Sequence, residues 1–437
     1  MDYSSILSKF NITELNKMQQ SCIKAIPESN DVILISPTGS GKTLGFLLPI
    51  LQLLNPENKD IQILILVPSR ELALQIEKVF KQMGTSYKAN SCYGGHSVRI
   101  EENNLIIPPV VLIGTPGRIV QHIQQKSLVL KHVHTLVLDE FDKSLEFGYK
   151  TEMEYIVEQC KHLKKRILTS ATALKEIPAF VGLTNSIIIN YTTKHQELKS
   201  ALVLKSVKTE GIDKVKALVL LLGKINTKAC IVFCNHREAV NRISNQLYNN
   251  RIEHSFYHGG LEQIDREKAL IKLRNGSVSI LITTDLASRG LDIPEIEAII
   301  HYHLPATEEI MIHRNGRTAR MNANGTAYFL LEPKDYLPKF LEKTPEEETL
   351  PNKLIMPIPN EWKTLYIAAG KKDKISKMDI VGILLQKGEL HKDELGKIEV
   401  LDHSAYVAIK ASKIVKTIQL IRGEKIKNRK IRMEIAT

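Results

Sequence analysis

The stretch Ser36-Pro37-Thr38-Gly39-Ser40-Gly41-Lys42-Thr43 has the residue types of a phosphate cradle. It follows an apolar run at 32–35 and precedes a helix-like segment at 44–54. A strand, a tight glycine turn and a helix start together aim backbone N–H groups at an anion. Gly39 and Gly41 let that backbone close on phosphates with no Cβ in the way, and Ser36, Thr38 and Ser40 complete the loop. Lys42 would reach the β- and γ-phosphates of a nucleoside triphosphate, and the Thr43 hydroxyl would ligate Mg²⁺. The general pattern begins with Gly, where this sequence has Ser36.

A second apolar run, 135–138, delivers Asp139-Glu140-Phe141-Asp142. Alone, such an acidic tetrapeptide reads as a helix N-terminus with favourable dipole placement. Paired with Lys42 it reads as a metal-and-water site. Asp139 would hold Mg²⁺, and Glu140 would orient or deprotonate the attacking water.

These residues need a scaffold that brings loop ends together. Apolar β-like runs at 32–35, 63–67, 110–113, 135–138 and 167–169 alternate with helical patterns. That alternation predicts a parallel sheet with helices on both faces and ligands beyond the carboxyl ends of the strands. From about 205 the alternation begins again, with strands expected at 229–234, 254–257, 279–282 and 298–302 and no second cradle. Six prolines between 333 and 359 and an acidic patch at 346–348 then read as a linker or extended strap. The order βαββαβ over the last 75 or so residues suggests a sandwich of one sheet and two helices, as in RNA-recognition modules.

The whole is α/β: two tandem parallel-sheet domains at 1–203 and 204–335, a linker at 336–361, and a small α+β domain at 362–437. No apolar run approaches the roughly 20 residues of a membrane helix, and residues 1–5 show no signal-peptide pattern. Five scattered cysteines suggest a reducing, cytoplasmic setting. Net charge is +12; residues 362–437 carry 17 Lys/Arg and 9 Asp/Glu, so +8, leaving +4 for the other 361 residues. A basic C-terminal module points to a polyanion, most simply nucleic acid.

In this order the motifs resemble a DEAD-box RNA helicase, in a DEFD variant with Phe141 where the family usually has Ala. The resemblance implies two RecA-like domains that close over ATP, Mg²⁺ and RNA. It makes Gln19 the adenine-reading residue and assigns Asp142, Ser170, Thr172 and His313 to coupling hydrolysis with strand separation. Arg317 and Arg320, in His313-Arg314-Asn315-Gly316-Arg317-Thr318-Ala319-Arg320, take the arginine-finger positions, where a guanidinium can neutralise charge on the γ-phosphoryl group. Asn315 and Ala319 depart from the family's letters there. Asp292 resembles the ribose contact.

RNA contacts are implied at Pro68, Arg70, Gly94, Gly95, Thr115 and Arg118 in the first domain and at Gln263, Arg266, Thr283, Arg289 and Gly290 in the second. Helix starts, glycine backbones and arginines bind phosphates without reading bases. The tail resembles that of the bacterial DbpA-type subfamily, which holds a hairpin of large-subunit ribosomal RNA while the core unwinds nearby helices. Base-stacking aromatics are scarce on its expected sheet, where the third-strand stretch offers Tyr406 alone. Lys371, Lys372, Lys374, Lys427 and Arg429 are the better contacts. The leading expectation is an RNA-stimulated ATPase, acting as a monomer on ribosomal RNA during large-subunit assembly. A general cold-stress RNA helicase and a catalytically weak RNA-binding scaffold stay open.

Overall fold

The branched apolar runs form strands because each of their residues is buried from one side or the other. In the computed structural model the first unit, built on Met1–Ser200, contains β1 (Asp31–Ile35), β2 (Ile63–Leu66), β3 (Ala89–Cys92), β4 (Val111–Gly114), β5 (Thr135–Leu138), β6 (Lys165–Ser170) and β7 (Ser186–Asn190). They make one parallel sheet in the order β3-β4-β2-β5-β6-β1-β7. The structure describes all residues except 1–2, 38, 96, 174–175, 193–201, 227–228, 289–292, 294–295, 319–324, 342 and 437.

Alternation along the strands divides the core. Val32, Leu34, Ile63, Ile65 and Val137 enter one apolar cluster, and Ile33, Ile35, Leu64, Leu66, Leu136 and Leu138 enter the other. Helices cover both faces, as a parallel sheet requires. The five expected strands form the middle of the sheet; the edges β3 and β7 were not expected.

The second unit, built on Ala201–Arg289 and Ile293–Thr437, holds a second parallel sheet and the tail domain. Its sheet comprises β8 (Leu202–Lys208), β9 (Cys230–Phe233), β10 (Ser255–Tyr257), β11 (Ile280–Thr283), β12 (Ala298–His301), β13 (Gly325–Leu331) and β14 (Glu346–Glu347), in the order β10-β11-β9-β12-β13-β8-β14. Within the stretch read as a linker or extended strap, the described residues are tied to the second domain. Its β14 pairs with β8, Glu348 accepts from Lys205 and Lys224, and the Ile358 amide donates to Asn226 Oδ1 at 2.9 Å.

The tail folds as βαββαβ: β15 (Trp362–Ile367), β16 (Leu395–Val400), β17 (Ala405–Lys410), a hairpin of β18 (Lys425–Ile426) and β19 (Arg429–Lys430), and β20 (Met433–Ile435). Its four-stranded antiparallel sheet runs β16-β17-β15-β20. Leu365, Ile367, Val407 and Ile409 face the helices Lys377–Gln386 and Ile414–Ile421 in one apolar core. The extra hairpin turns at Lys427 and Asn428, both left-handed (φ 48° and 65°), which suits a two-residue connection. No helix among the described residues is long and apolar enough to cross a membrane.

Candidate nucleotide site and RNA-facing surfaces

The cradle is pinned to the sheet at its start, where the Ser36 amide donates to the carbonyl of Ser170, the last residue of β6 (3.0 Å). Gly39 and Gly41 have φ of +82° and +85°, which side chains with a Cβ rarely adopt. A Cβ on Gly41 would also lie 2.6 Å from Gln19 Nε2. Gly41 precedes the helix Lys42–Ile50, so Lys42 and Thr43 occupy its first turn, where free N–H groups face an anion. Lys42 Nζ donates to the carbonyls of Ser36 and Pro37, the latter at 3.1 Å.

The helix Lys17–Glu28 braces this loop. Asn16 and Gln19 form a reciprocal capping box, Asn16 Nδ2 donates to the Ser40 carbonyl (3.0 Å) and Gln19 Nε2 to the Gly41 carbonyl (3.2 Å). Gln19 is thereby buried against the cradle.

Asp139 directly follows β5 and is buried. Burial pushes its carboxyl up, against the Thr169 hydroxyl and the Lys42 charge, which draw it back. A desolvated carboxylate beside a phosphate cradle fits a cation. Its Oδ1 accepts from the Thr169 hydroxyl and from the Glu140 amide (3.1 Å). Glu140 sits in the left-handed region at φ 48°, uncommon for a residue with a side chain and costing on the order of 1 kcal/mol. Thr169 Oγ1 also accepts from the Glu140 amide (3.2 Å), so this threonine organises both acids. Sequence reasoning gave Thr169 no role; its place directly before Ser170 on the strand beside β5 was the available signal.

Phe141 turns away from the acids and is fully buried with Leu138, Met153, Ile156 and Leu168. Ser170 Oγ donates to the Thr172 carbonyl (2.7 Å) and accepts from its amide (3.2 Å). Thr38 lies outside the described residues.

The loops after β2, β3 and β4 carry the remaining first-domain motifs. Pro68 follows β2, and the Ser69 hydroxyl caps the helix Arg70–Met83. Arg70 Nε pairs with Glu71 (2.9 Å), and Gly95 (φ +92°) comes so near that a Cβ there would lie 2.5 Å from an Arg70 terminal nitrogen. Gly94 precedes it. Thr115 is the N-cap residue of the helix Pro116–Gln124, which carries Arg118. A buried centre the sequence reading missed ties these loops together. Glu101 pairs with Arg118 (3.2 Å), meets His122 Nε2 (2.7 Å) and accepts the Tyr93 amide (2.9 Å). Burial and Glu101 push the neighbouring Cys92 thiol above its ordinary range.

In the second unit, Gln263 and Arg266 open the helix Gln263–Arg274. Arg266 donates to the carbonyls of Leu261 (3.1 Å) and Gly259 (3.2 Å), and Gln263 to Glu267 (2.6 Å). Thr283 is fully buried, and its hydroxyl is held by the Tyr257 and Thr284 carbonyls. Those bonds tie the start of the following loop, where the RNA contact is expected, to the end of β10. His313 is buried in the helix Glu308–Asn315. Its neighbour Arg314, which sequence reasoning passed over, binds Asp285 through two nitrogens, the His303 carbonyl (2.8 Å) and Asn235 (2.9 Å). Arg317 follows in a turn, its amide donating to the Arg314 carbonyl (3.2 Å). Arg289, Gly290, Asp292, Ala319 and Arg320 lie outside the described residues.

The tail's sheet face explains its lack of stacking aromatics. Tyr406 is buried against Ile271, Ala436 and Tyr366, the last ring 5.4 Å away. Arg274 clasps Glu399 through two bonds (3.0 and 2.7 Å), and Thr364 bonds Asn275 (2.9 Å) and Ser277 (2.7 Å). That face is docked on the helix Gln263–Arg274. The basic residues gather elsewhere on the tail. Lys427 bonds the Lys374 carbonyl and Asp379 (both 2.8 Å), Arg429 pairs with Asp373 (3.3 Å) and Lys372 with Asp402 (3.5 Å), and Lys371 is exposed beside them.

Residues 16–180 match the DEAD/DEAH box helicase family, 213–322 the helicase conserved C-terminal domain and 364–435 the DbpA RNA binding domain. The ATP-dependent RNA helicase DbpA of Bacillus subtilis is 29% identical, over 100% of this chain and 97% of its own. The DEAD-box ATP-dependent RNA helicase CshC of Bacillus cereus is 30% identical over 75% of this chain and 84% of its own. Among solved structures, S. cerevisiae Dbp5 bound to RNA and ADP BeF3 is similar at 27% identity, with a TM-score of 0.67 over 76% of this chain and 87% of that one. With a cradle, paired acids and the helicase motif loops in the family's order, the chain belongs to the DEAD-box ATP-dependent RNA helicases and carries a C-terminal module of the DbpA type.

Proposed function

We propose that this RNA helicase locally unwinds ribosomal RNA during assembly of the large subunit, as a cytoplasmic monomer, with its C-terminal domain holding the target. The two halves of the core are residues 1–203 and 204–335, and the targeting domain is 362–437. The observation that carries the reading is the tail's division of labour. Its sheet face is covered by the helix Gln263–Arg274, while Lys371, Lys372, Lys374, Lys427 and Arg429 are exposed on a separate surface. A fold that hides its base-stacking face and displays cations suits a folded RNA element, whose phosphates it can grip. Similarity to the DbpA-type tail points to a large-subunit hairpin as that element.

In the core, Ser36, Thr38, Gly39, Ser40 and Gly41 supply the phosphate loop, Lys42 carries charge to the terminal phosphates, and Gln19 orients the adenine. Thr43 and Asp139 would hold Mg²⁺, which neutralises phosphate charge. Glu140 orients or deprotonates the attacking water. Asp292, Arg317 and Arg320 complete the site from the second domain, and Asp142, Ser170, Thr172 and His313 couple turnover to RNA. Pro68, Arg70, Gly94, Gly95, Thr115, Arg118, Gln263, Arg266, Thr283, Arg289 and Gly290 line the RNA path.

Lys42→Ala or Glu140→Gln should abolish ATP turnover and leave hairpin binding by the tail intact. Lys371→Glu with Lys427→Glu should remove preference for the ribosomal hairpin, with the salt slope of binding falling by roughly 0.7–0.9 per lost phosphate contact. Charge reversal is a cleaner test than deleting the tail, which would strip the cover from Ile271. Equal binding of the unaltered protein to unrelated hairpins would end the ribosomal reading.

A further inference from the structure

Between the second RecA-like domain and the tail lies a cleft of about 730 Å³. One wall is the end of the helix Arg237–Asn249 and the turn into β10, another the end of the helix Gln263–Arg274, and the third is tail sheet from β15 and the chain end. Its residues precede β10 and β11, so it opens at the amino ends of these parallel strands. The motif loops at Gly259, Gly260 and Thr283 lie at their carboxyl ends. The cleft is therefore separate from the family's RNA path on this domain.

Its lining carries three cations, Arg251, Lys272 and Lys363, against the single carboxylate of Glu253. Glu253 is already engaged by Lys363 and by Asn360 (3.2 Å). No hydrogen bond or ion pair among the described residues engages Lys272 Nζ. Burial holds this ammonium below its ordinary range, and the nearby charges of Lys268 and Lys363 add to the effect. A group in that position gains from an arriving anion. At the rim stands the Tyr248 ring, 78% exposed and packed on no other ring among the described residues. The tail wall is fixed by the Thr364 bonds to Asn275 and Ser277 and by the Arg274–Glu399 clasp.

We propose that this cleft is a second binding site for single-stranded RNA, with a phosphate on Lys272 and Arg251 and a neighbouring base against Tyr248. A flat aromatic face beside Arg251 and Lys272, whose side chains have no hydrogen-bond or ion-pair partner among the described residues, suits a nucleotide, which supplies a π surface and a negative charge together. An acidic peptide would use the cations and leave the ring idle. The site requires neither a ribosomal target nor the tail's basic surface, so it stands or falls separately from the function proposed above.

The test uses the full chain and an unstructured oligouridylate carrying 4-thiouridine. Crosslinks should map to the peptide containing Tyr248 and Arg251. Tyr248→Ala should weaken binding about 5- to 150-fold, the range expected for loss of one base–aromatic stack, and Tyr248→Phe should restore it. Lys272→Gln should lower the salt slope by roughly 0.7, the value for one single-strand phosphate contact, and Lys272→Arg should restore it. Wild-type affinity and slope in both variants, with crosslinks confined to other peptides, would overturn the proposal. So would variants that lose polyglutamate binding while keeping oligouridylate binding, which would make the occupant an acidic protein segment.

Discussion

Converting the tetrapeptide to the family's usual letters, by Phe141→Ala, should make this protein less stable. The Phe141 side chain is completely buried, in a cluster with Leu138, Met153, Ile156, Leu168 and the thiols Cys92 and Cys160. Truncating a buried Phe to Ala costs about 3–5 kcal/mol when the surroundings cannot collapse. Strands β5 and β6 on one side of the site are in fixed register, Leu138 beside Leu168, so little collapse is available. For a domain near 200 residues each kcal/mol is worth roughly 2–4 °C, so the first domain should melt about 6–20 °C lower.

A local readout exists in the same cluster. Cys92 and Cys160 are buried and free, and burial pushes Cys160 up to about 12, so both should label slowly in the native state. If opening of the cluster limits labelling, Phe141→Ala should speed it roughly a hundred- to several-thousand-fold, because about 1.4 kcal/mol is tenfold. Well below the melting point, ATP turnover should persist, since Asp139 and Glu140 are held by Thr169 and not by Phe141. A melting shift within about 2 °C together with unchanged labelling would show that the cluster repacks around alanine and that Phe141 is not a packing element.

Two further outcomes can be checked on the same protein. Gly41→Ala combines a left-handed φ of +85° with a Cβ placed 2.6 Å from Gln19 Nε2, so it should cost about 1–2 kcal/mol and displace the brace. Weakened ATP binding with RNA binding retained is the expected result, and normal turnover would refute the cradle geometry. His301 is fully buried between Phe233 and Phe329, and burial together with the Arg314 charge lowers its pKa to about 3. Its folded value lies below the unfolded one near 6.5, so stability is full above about pH 6.5 and falls as the pH drops towards 3. At pH 5 the loss from this group is about 2 kcal/mol relative to pH 8. His303, lowered to about 4, adds its own loss, so urea unfolding at both pH values should show a pH dependence about 2 kcal/mol smaller in His301→Phe than in the wild type; an equal pH dependence in both would place the titration elsewhere.

The parts legible in the sequence were those written into one short stretch. The cradle is legible because its glycines and Lys42 must be contiguous, and the central strands because burial on both faces demands unbroken apolar runs. The edge strand β3, Ala-Asn-Ser-Cys, pairs on one side only and carries no such run. Glu101 looks like one more acid in a polar helix, and only the fold brings Arg118 and His122 to it. Thr169 and Arg314 escaped for the same reason: each acts on a partner far away in sequence, Asp139 and Asp285, chosen by sheet order and not by spacing. Thr283 shows the converse, a motif residue whose type suggested contact and whose hydroxyl the backbone occupies.

The helix Gln263–Arg274 links the scarcity of aromatics in the tail to the motif at the helix start. At its first turn Arg266 ties down the Gly259 and Leu261 carbonyls; at its last, Arg274 grips Glu399 of the tail sheet. Twelve residues at 1.5 Å each span about 18 Å, and an α-helix with both ends held does not stretch. Ile271 and Tyr406 fill the joint with apolar surface, and Thr364 satisfies the polar groups of Asn275 and Ser277 that the joint buries. A sheet face used this way cannot also stack bases, so aromatics there would gain nothing from exposure and Tyr406 serves as packing. If the tail's basic surface grips RNA as proposed, that RNA is held at a set displacement from the turn at Gly259 and Gly260, a constraint that a flexible tether could not impose.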